Sequence, residues 1–421
     1  MPEVKIYLTS KGCYIVRTET NHIAAYLGWN DYKIVENINE ADAIVITTCA
    51  VTESAAQTTY DAILNCIRSR KNSAPIYVVG CYSRIEIERM KELAHYENIF
   101  ALPEIIDIEN VFLGSSSWDS VVYNDYHSHP FYHEKVKEYG RSRTAIKVIK
   151  SFFSVVDTIF NKETLFYFNF RRHLYNPEIQ KNLWPVIISK GCVHSCSYCA
   201  VRIGRGKHTS KSPSSIINEI KIGIDKGYKR CLLIGDELGT YGIDLKDGTS
   251  LSSLLITLII DEFPVSLGFW YLDCFHLTEV ASQIEELCEK DKIFFLGITL
   301  QSGSERILSL MNRNYSLEKS IESIRKFRKY TKVIIATQIM VGFPTETEED
   351  FRKSLDLINK GFFDLVEVYE YSPRPLTKAA KMNDDVPPET KAKRADKLRK
   401  VASKHKKKLF IDKVINEFRA Q

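Results

Sequence analysis

At 421 residues, with 44% hydrophobic and 26% charged residues and no low-complexity tract, the chain is long enough for two or three domains with sizeable cores. A formal charge of +5 permits an anionic partner without requiring one. The N-terminus lacks a basic stretch leading into an apolar run, and the longest greasy segment, LSSLLITLII, is too short to span a bilayer. A cytoplasmic protein with no membrane partner is therefore expected, and in a reducing compartment its ten cysteines point to metal binding or catalysis before disulfides.

The first third alternates VKIYLTS, DAIVITT and PIYVVG, which read as strands, with helical patterns from Glu19 to Leu27 and from Glu53 to Ile67. Strands alternating with helices predict a doubly wound parallel sheet. Cys49 and Cys81 directly follow the second and third strands, and Cys13 lies just past the first. Ligands of open parallel sheets gather outside the carboxyl ends of the strands, so this topology would bring the three thiols to one rim. Residues 123–184 read as a connection whose second part, from Ala145 to Trp184, is rich in aromatics.

From Pro185 the alternation resumes with PVIIS, RCLLIG, LGFWYL, IFFLGITL, VIIATQIMVG and DLVEVYEY. Six strand-helix units predict a partial (β/α)6 barrel over 185–386, with its chemistry on the loops after the strands. Residues 387–421 form a lysine-rich helical pattern, expected to be mostly a solvated face.

The loop after the first barrel strand reads GCVHSCSYC and spaces Cys192, Cys196 and Cys199 as CxxxCxxC. Structural zinc sites are closed by four ligands, commonly from two separated pairs. Here His194 or His208 would have to complete such a set, and His194 reads as a spacer between the cysteines. A four-iron cluster explains the count of three better, since it leaves one iron open for a ligand.

The CxxxCxxC loop with Tyr198 before its last cysteine resembles the radical S-adenosylmethionine (SAM) superfamily. The wording SKGC, TTCAVT and VGCYSR around Cys13, Cys49 and Cys81 resembles the N-terminal domain of the methylthiotransferases. RGKHTSK, IGDELGTYGID, LQSGSERILSLMNRNY, VGFPTETEEDF and YSPRPLTKAAKM continue the likeness along the barrel. The resemblance implies two [4Fe–4S] clusters, one held by Cys192, Cys196 and Cys199 and an auxiliary one held by Cys13, Cys49 and Cys81. It further implies that SAM is cleaved to a radical that opens a C–H bond for a methylthio group, with an external electron donor and sulfur donor. By the same analogy Tyr198, Gly235, Asp236, Glu237, Gln301, Ser302, Arg313, Gly342, Phe343 and Pro344 would surround SAM. Cys66, Cys231, Cys274 and Cys288 are expected to be core residues.

Several positions depart from the family pattern: Asp236–Glu237, Val16–Arg17, Gln338 and Leu376. No run of short strands follows the basic helix to build the C-terminal TRAM barrel that relatives use to hold substrate. The altered positions leave the substrate open, while the two cysteine triples without that barrel favour a peptide or small-protein substrate, such as a ribosomally made precursor. A tRNA adenosine is the alternative, and a non-catalytic zinc-binding protein is the reading from another class. The segment from Ala145 to Trp184, with Phe152, Phe153, Phe166, Tyr167, Phe168, Phe170, Arg171 and Arg172, is expected either to help grip the substrate or to pack a domain interface.

Overall fold

The computed structural model describes residues 3–118 and 183–420 apart from 72 and 262, with side chains as far as 405. The aromatic residues from Phe152 to Arg172 lie outside this range. Two compact units separate: one takes the N-terminal part together with Ala200–Gly206 and Arg374–Leu376, the other the remaining chain.

In the first unit, β1 (Lys5–Lys11), β2 (Lys33–Ile34), β3 (Ala43–Thr48), β4 (Ile76–Gly80) and β5 (Ile99–Leu102) form an all-parallel sheet in the order β2-β1-β3-β4-β5. Alternation along each strand decides which face a side chain joins. Ile44, Ile46, Ile76 and Val78 enter one apolar cluster with Ile63 and Tyr82. Ile6, Leu8, Val45 and Val79 enter the opposite one with Ile23 and Leu27. Both faces are thus covered, and central strand β3 is buried at every position, which is why it reads as a continuous apolar run. After β2 the chain crosses back over β1 to lay down β3, so the strand order reverses between β1 and β3. Such a reversal opens a crevice at the carboxyl ends of the two strands. The helix Glu53–Ser69 starts where the Thr52 hydroxyl accepts the Ala55 N–H at 3.2 Å, a cap worth about 1 kcal/mol.

The second unit opens with β6 (Trp184–Ile187), followed by a short antiparallel pair, β7 (Ser189–Lys190) and β8 (Thr209–Ser210). Then come β9 (Arg230–Ile234), β10 (Ser266–Asp273), β11 (Ile293–Gln301), β12 (Ile334–Val341) and β13 (Leu365–Glu370). With β6 they make a six-stranded parallel sheet in which β6, β9, β10, β11, β12 and β13 are neighbours in chain order. This is an unclosed barrel of the expected type. All nine residues of β11 are buried, as its central place requires. Helices return the chain between the strands, among them Pro213–Asp225, Leu251–Ile260, Cys274–Glu289, Leu317–Phe327 and Glu348–Asn359. Serine, threonine or aspartate caps each of these five starts, with capping boxes at Ser250 and Thr347.

The last helix, Pro388–Ala420, keeps most of its described side chains exposed, as expected, but also carries a buried stripe that the expectation did not include. Ala395 and Leu398 are fully buried. The Lys391 ammonium donates to both Asp384 oxygens, at 2.6 and 2.8 Å, and Arg394 Nη1 donates to Glu346 Oε2 at 2.8 Å. Positions 391, 394, 395 and 398 share one helical stripe, and its basic members reach acidic acceptors, Asp384 and the buried Glu346, that the charge run does not reveal. Arg399 Nη2 also donates to the Val368 carbonyl of β13 at 3.1 Å. Among the described residues no helix is long and apolar enough to cross a membrane.

Candidate active site

Cys13, Cys49 and Cys81 come together at the carboxyl ends of β1, β3 and β4. Cys13 is the residue before the helix Tyr14–Trp29, and Cys81 is the first of the helix Cys81–Ile85. The turn into Cys81 runs through Gly80 at φ +100°, and a β-carbon there would stand 3.2 Å from the Thr48 carbonyl oxygen. Thr48 Oγ1 braces the same turn by donating to the Val79 carbonyl at 2.8 Å. The Cys49 thiol is pushed well up from its ordinary value, first by its hydrogen bond with Cys13, then by burial and by the fields of Cys13 and Cys81. Thiols that perturb one another this way are close enough to share a metal site. None of the ten cysteines is disulfide-bonded.

The second triple is held on the loop after β7. The Ser197 N–H donates to the Met311 carbonyl at 2.9 Å and its hydroxyl to Leu310 at 2.8 Å. Asn312 Nδ2 reaches the Ser195 carbonyl at 3.0 Å. The loop is therefore fixed against the end of the helix Glu305–Leu310. Burial pushes the Cys192 thiol up, the backbone at His194 opposes this, and Glu237, Cys199 and Cys196 add to it. Burial also raises Cys196, and the Arg313 guanidinium is the main opposing influence. Arg313 Nη1 lies 3.7 Å from Cys196 Sγ and 2.7 Å from Asp273 Oδ2, while Nη2 donates to the Thr299 carbonyl at 2.6 Å. Its guanidinium also stacks over Phe275 and Tyr315.

The other expected contacts divide. Tyr198 packs beside Ile307, Met311, Phe343, Tyr371 and Ala379 in a small apolar cluster next to the cysteines. Gly342, at φ +71°, and Pro344 flank Phe343 on the same turn. Gly342 donates its N–H to Glu346 Oε2 at 2.6 Å. Gly235 lies where a β-carbon would stand 2.8 Å from Ser189 Oγ. Asp236 Oδ2 accepts the Gly191 N–H at 2.8 Å and so fixes the start of the cysteine loop. Glu237 is buried, and its carboxylate accepts the N–H groups of Gly239, Thr240 and Asp273 at 2.7, 2.7 and 3.1 Å. Burial works against its charge, but His194, His276 and these N–H groups prevail and hold it below the usual carboxylate range. Gln301 donates to Gln338 Oε1 at 3.2 Å and keeps a buried Oε1 with no hydrogen-bond partner. Gln338 in turn donates to Glu367 at 3.0 Å, so the departure at 338 belongs to a polar row across β11, β12 and β13. Ser302 is fully buried, its hydroxyl engaged with Ser304 and Ser354.

Cys66, Cys231, Cys274 and Cys288 are all buried, with burial as the first cause pushing Cys66 to about 11 and Cys274 and Cys288 to about 12. Sequence reasoning missed Asp273, which accepts from Phe275 N–H, Thr299 Oγ1 and Arg313 at once. The available signal was an acid at the end of a barrel strand, one residue before a helix.

Residues 186–358 match the model of the radical SAM superfamily, and residues 5–101 match uncharacterized protein family UPF0004. A probable threonylcarbamoyladenosine tRNA methylthiotransferase of Pyrococcus horikoshii is 31% identical over 384 residues, covering 90% of this chain and 79% of the relative. The chain belongs to the radical SAM methylthiotransferase family. A second relative in that family, the tRNA-2-methylthio-N(6)-dimethylallyladenosine synthase of Pseudothermotoga lettingae, is 28% identical and covers 98% of this chain and 87% of its own. Among solved structures, the radical SAM methyltransferase TsrM from Kitasatospora setae aligns at TM-score 0.57 over 90% of this chain and 75% of that one; at 12% identity the likeness concerns the fold. As a methylthiotransferase family member the chain is an enzyme, and its radical SAM unit implies a [4Fe–4S] cluster and SAM.

Proposed function

We propose that this radical SAM methylthiotransferase places a methylthio group on an N6-modified adenosine of tRNA, using one cluster in each unit. The observation that carries the chemistry is the gathering of three thiols at strand ends in each unit, from residues scattered over the sequence in the first and from one loop in the second. Thiolates are the ligands of iron–sulfur clusters, so both donor sets fit the group. Cys192, Cys196 and Cys199 would hold the SAM cluster and Cys13, Cys49 and Cys81 the auxiliary one. The raised thiols keep their protons in the apoprotein, and iron binding must displace them.

The chemistry supplied when cluster and SAM are bound is reductive cleavage of SAM to a radical. The chain's part is to place and shelter it. Asp236 fixes the entry to the cysteine loop, and Arg313 sets a positive charge against Cys196. Tyr198 and Phe343, with Gly342 and Pro344 shaping the turn, offer an apolar wall for the adenine of SAM. The unpartnered Gln301 Oε1 is an acceptor poised for a donor on SAM or substrate.

The tRNA names of the relatives support this substrate over the expected peptide, to which they lend nothing. The test is anaerobic incubation of the reconstituted enzyme with SAM, sulfide and a reductant, offering bulk tRNA and a peptide pool in parallel. A methylthio adduct on an adenosine in digested tRNA is expected. Deoxyadenosine formation with adducts on peptide alone would reject the tRNA reading and keep the chemistry.

A further inference from the structure

Beyond the two thiol triples, three side chains from three separate segments of the second unit, two loops and a helix start, converge on one point. His194 lies between the first two cysteines of the barrel loop, Glu237 follows β9, and His276 stands in the first turn of the helix after β10. One donor atom from each lies within 4.8 Å of both others. His194 Nε2 stands 3.7 Å from Glu237 Oε2. The imidazoles lie 5.4 Å apart between centroids, and His194 stacks on Phe275 at 4.4 Å.

The protons and lone pairs are arranged for a cation. His276 Nδ1 is 3.0 Å from Glu279 Oε2, and since the carboxylate can only accept, Nδ1 carries the proton. In the neutral ring Nε2 is then a bare lone pair, and that atom is buried with no hydrogen-bond partner. His194 Nε2 is also buried with no hydrogen-bond partner, 3.7 Å from Glu237 Oε2. A carboxylate behind the distal nitrogen is the usual outer support of a metal-bound histidine, because it fixes the tautomer and raises ring basicity. Glu237 is equally pre-set: Oε1 is taken by the Gly239 and Asp273 N–H groups, while Oε2 accepts Thr240 and faces His194. Gly239 makes the approach feasible, since a β-carbon there would stand 2.4 Å from His276 Cβ.

We propose that His194, Glu237 and His276 form a binding site for a divalent transition-metal ion such as zinc, distinct from both clusters, with Glu237 serving the ion rather than SAM, beside which the family resemblance placed it. Two imidazoles and one carboxylate are a familiar open donor set, which leaves a coordination position for water or an anion. Bonds of about 2.1 Å in tetrahedral geometry require donors about 3.4 Å apart, so side-chain adjustments of about an ångström close the site. The histidine side chains retain 17% and 21% exposure, which provides a path of entry. The nitrogen-rich set separates this site from the thiol triples, which take iron.

The test uses the holoenzyme with both clusters reconstituted, so that the six thiols are occupied before zinc is offered. After anaerobic dialysis against low-micromolar zinc, zinc and iron are counted by mass spectrometry. One zinc per chain is expected, lost in His194→Ala and His276→Ala at unchanged iron content. Glu279→Gln alters an exposed supporting residue and should weaken zinc binding about tenfold without threatening the fold. Zinc retained in both histidine variants, or absent from the intact holoenzyme, overturns the site. So does zinc that saturating SAM expels stoichiometrically, which would assign the three side chains to the SAM pocket.

Discussion

Removing the Arg313 guanidinium tests how a buried charge network serves the cluster loop. Arg313 and Asp273 are paired at 2.7 Å with side-chain exposures of 2% and 8%. In Arg313→Met the chain keeps most of the side-chain volume and loses three things: the partner of a buried carboxylate, the donor to the Thr299 carbonyl, and the positive charge beside Cys196. Breaking a buried pair from one side costs about 3–5 kcal/mol, because the remaining charge is stranded away from water. Asp273→Asn keeps an acceptor for the Phe275 N–H but puts a donor where the Thr299 hydroxyl and the guanidinium now donate, so it strands the guanidinium and is destabilising too. The double variant strands neither, and its loss should fall well below the sum of the single losses. Urea unfolding of the reduced apoprotein measures all three. The second readout is chemical: without Arg313 the influence opposing burial at Cys196 is gone, so iron uptake by this triple should require higher pH. A loss below about 1 kcal/mol, strict additivity, or an unshifted pH dependence of iron uptake would refute the reasoning.

Replacing Cys192, Cys196 and Cys199 together with alanine should remove about four irons and abolish deoxyadenosine formation, whereas replacing Cys13, Cys49 and Cys81 should remove a similar number and spare SAM cleavage; iron content unchanged in either variant contradicts the ligand assignment. Asp350 is held well below its ordinary value, since its bonds with Arg306, Ser304 and Thr347 outweigh burial. Its stabilising contribution is therefore present above the ordinary carboxylate value and lost as pH falls through the folded one. Asp350→Asn should cost about 1–3 kcal/mol at neutral pH and flatten the acid limb of a stability profile, and an unchanged acid limb would count against it. Gly342→Ala sets a β-carbon 2.2 Å from Lys391 Cγ at a residue with φ +71°. It should lower the urea midpoint by an equivalent of about 1–3 kcal/mol, and a wild-type midpoint would show that the lysine stem moves aside freely.

The architecture was legible because each main strand is a short run of Val, Ile and Leu ending in turn residues. Once those runs are laid parallel, the convergence of Cys13, Cys49 and Cys81 follows from topology. β2 and β5 escaped notice: β2 is only two residues, and β5, IFAL, is a four-residue strand at the edge of its sheet, too short to stand out. His194 read as a spacer because its neighbours dominate the motif, and its partners Glu237 and His276 lie some forty and eighty positions away, on another loop and a helix start. No local pattern announces such a meeting. The buried stripe of the tail was hidden for a related reason: a lysine-rich composition says nothing about Asp384 and Glu346, the acceptors that hold Lys391 and Arg394. The four core cysteines were readable from their place within regular elements.

A barrel that does not close keeps two open margins, and β13 is one of them. An unpaired strand margin is a template onto which any extended chain can add itself, including another copy of the same protein. The last helix lies along this margin, with Leu398 buried and Arg399 bonded to the Val368 carbonyl. Its job in the molecule is therefore partly protective. A chain cut before Pro388 would retain every cysteine and every barrel strand, yet present β13 to the solvent as a sticky rim, and self-association would be its characteristic failure.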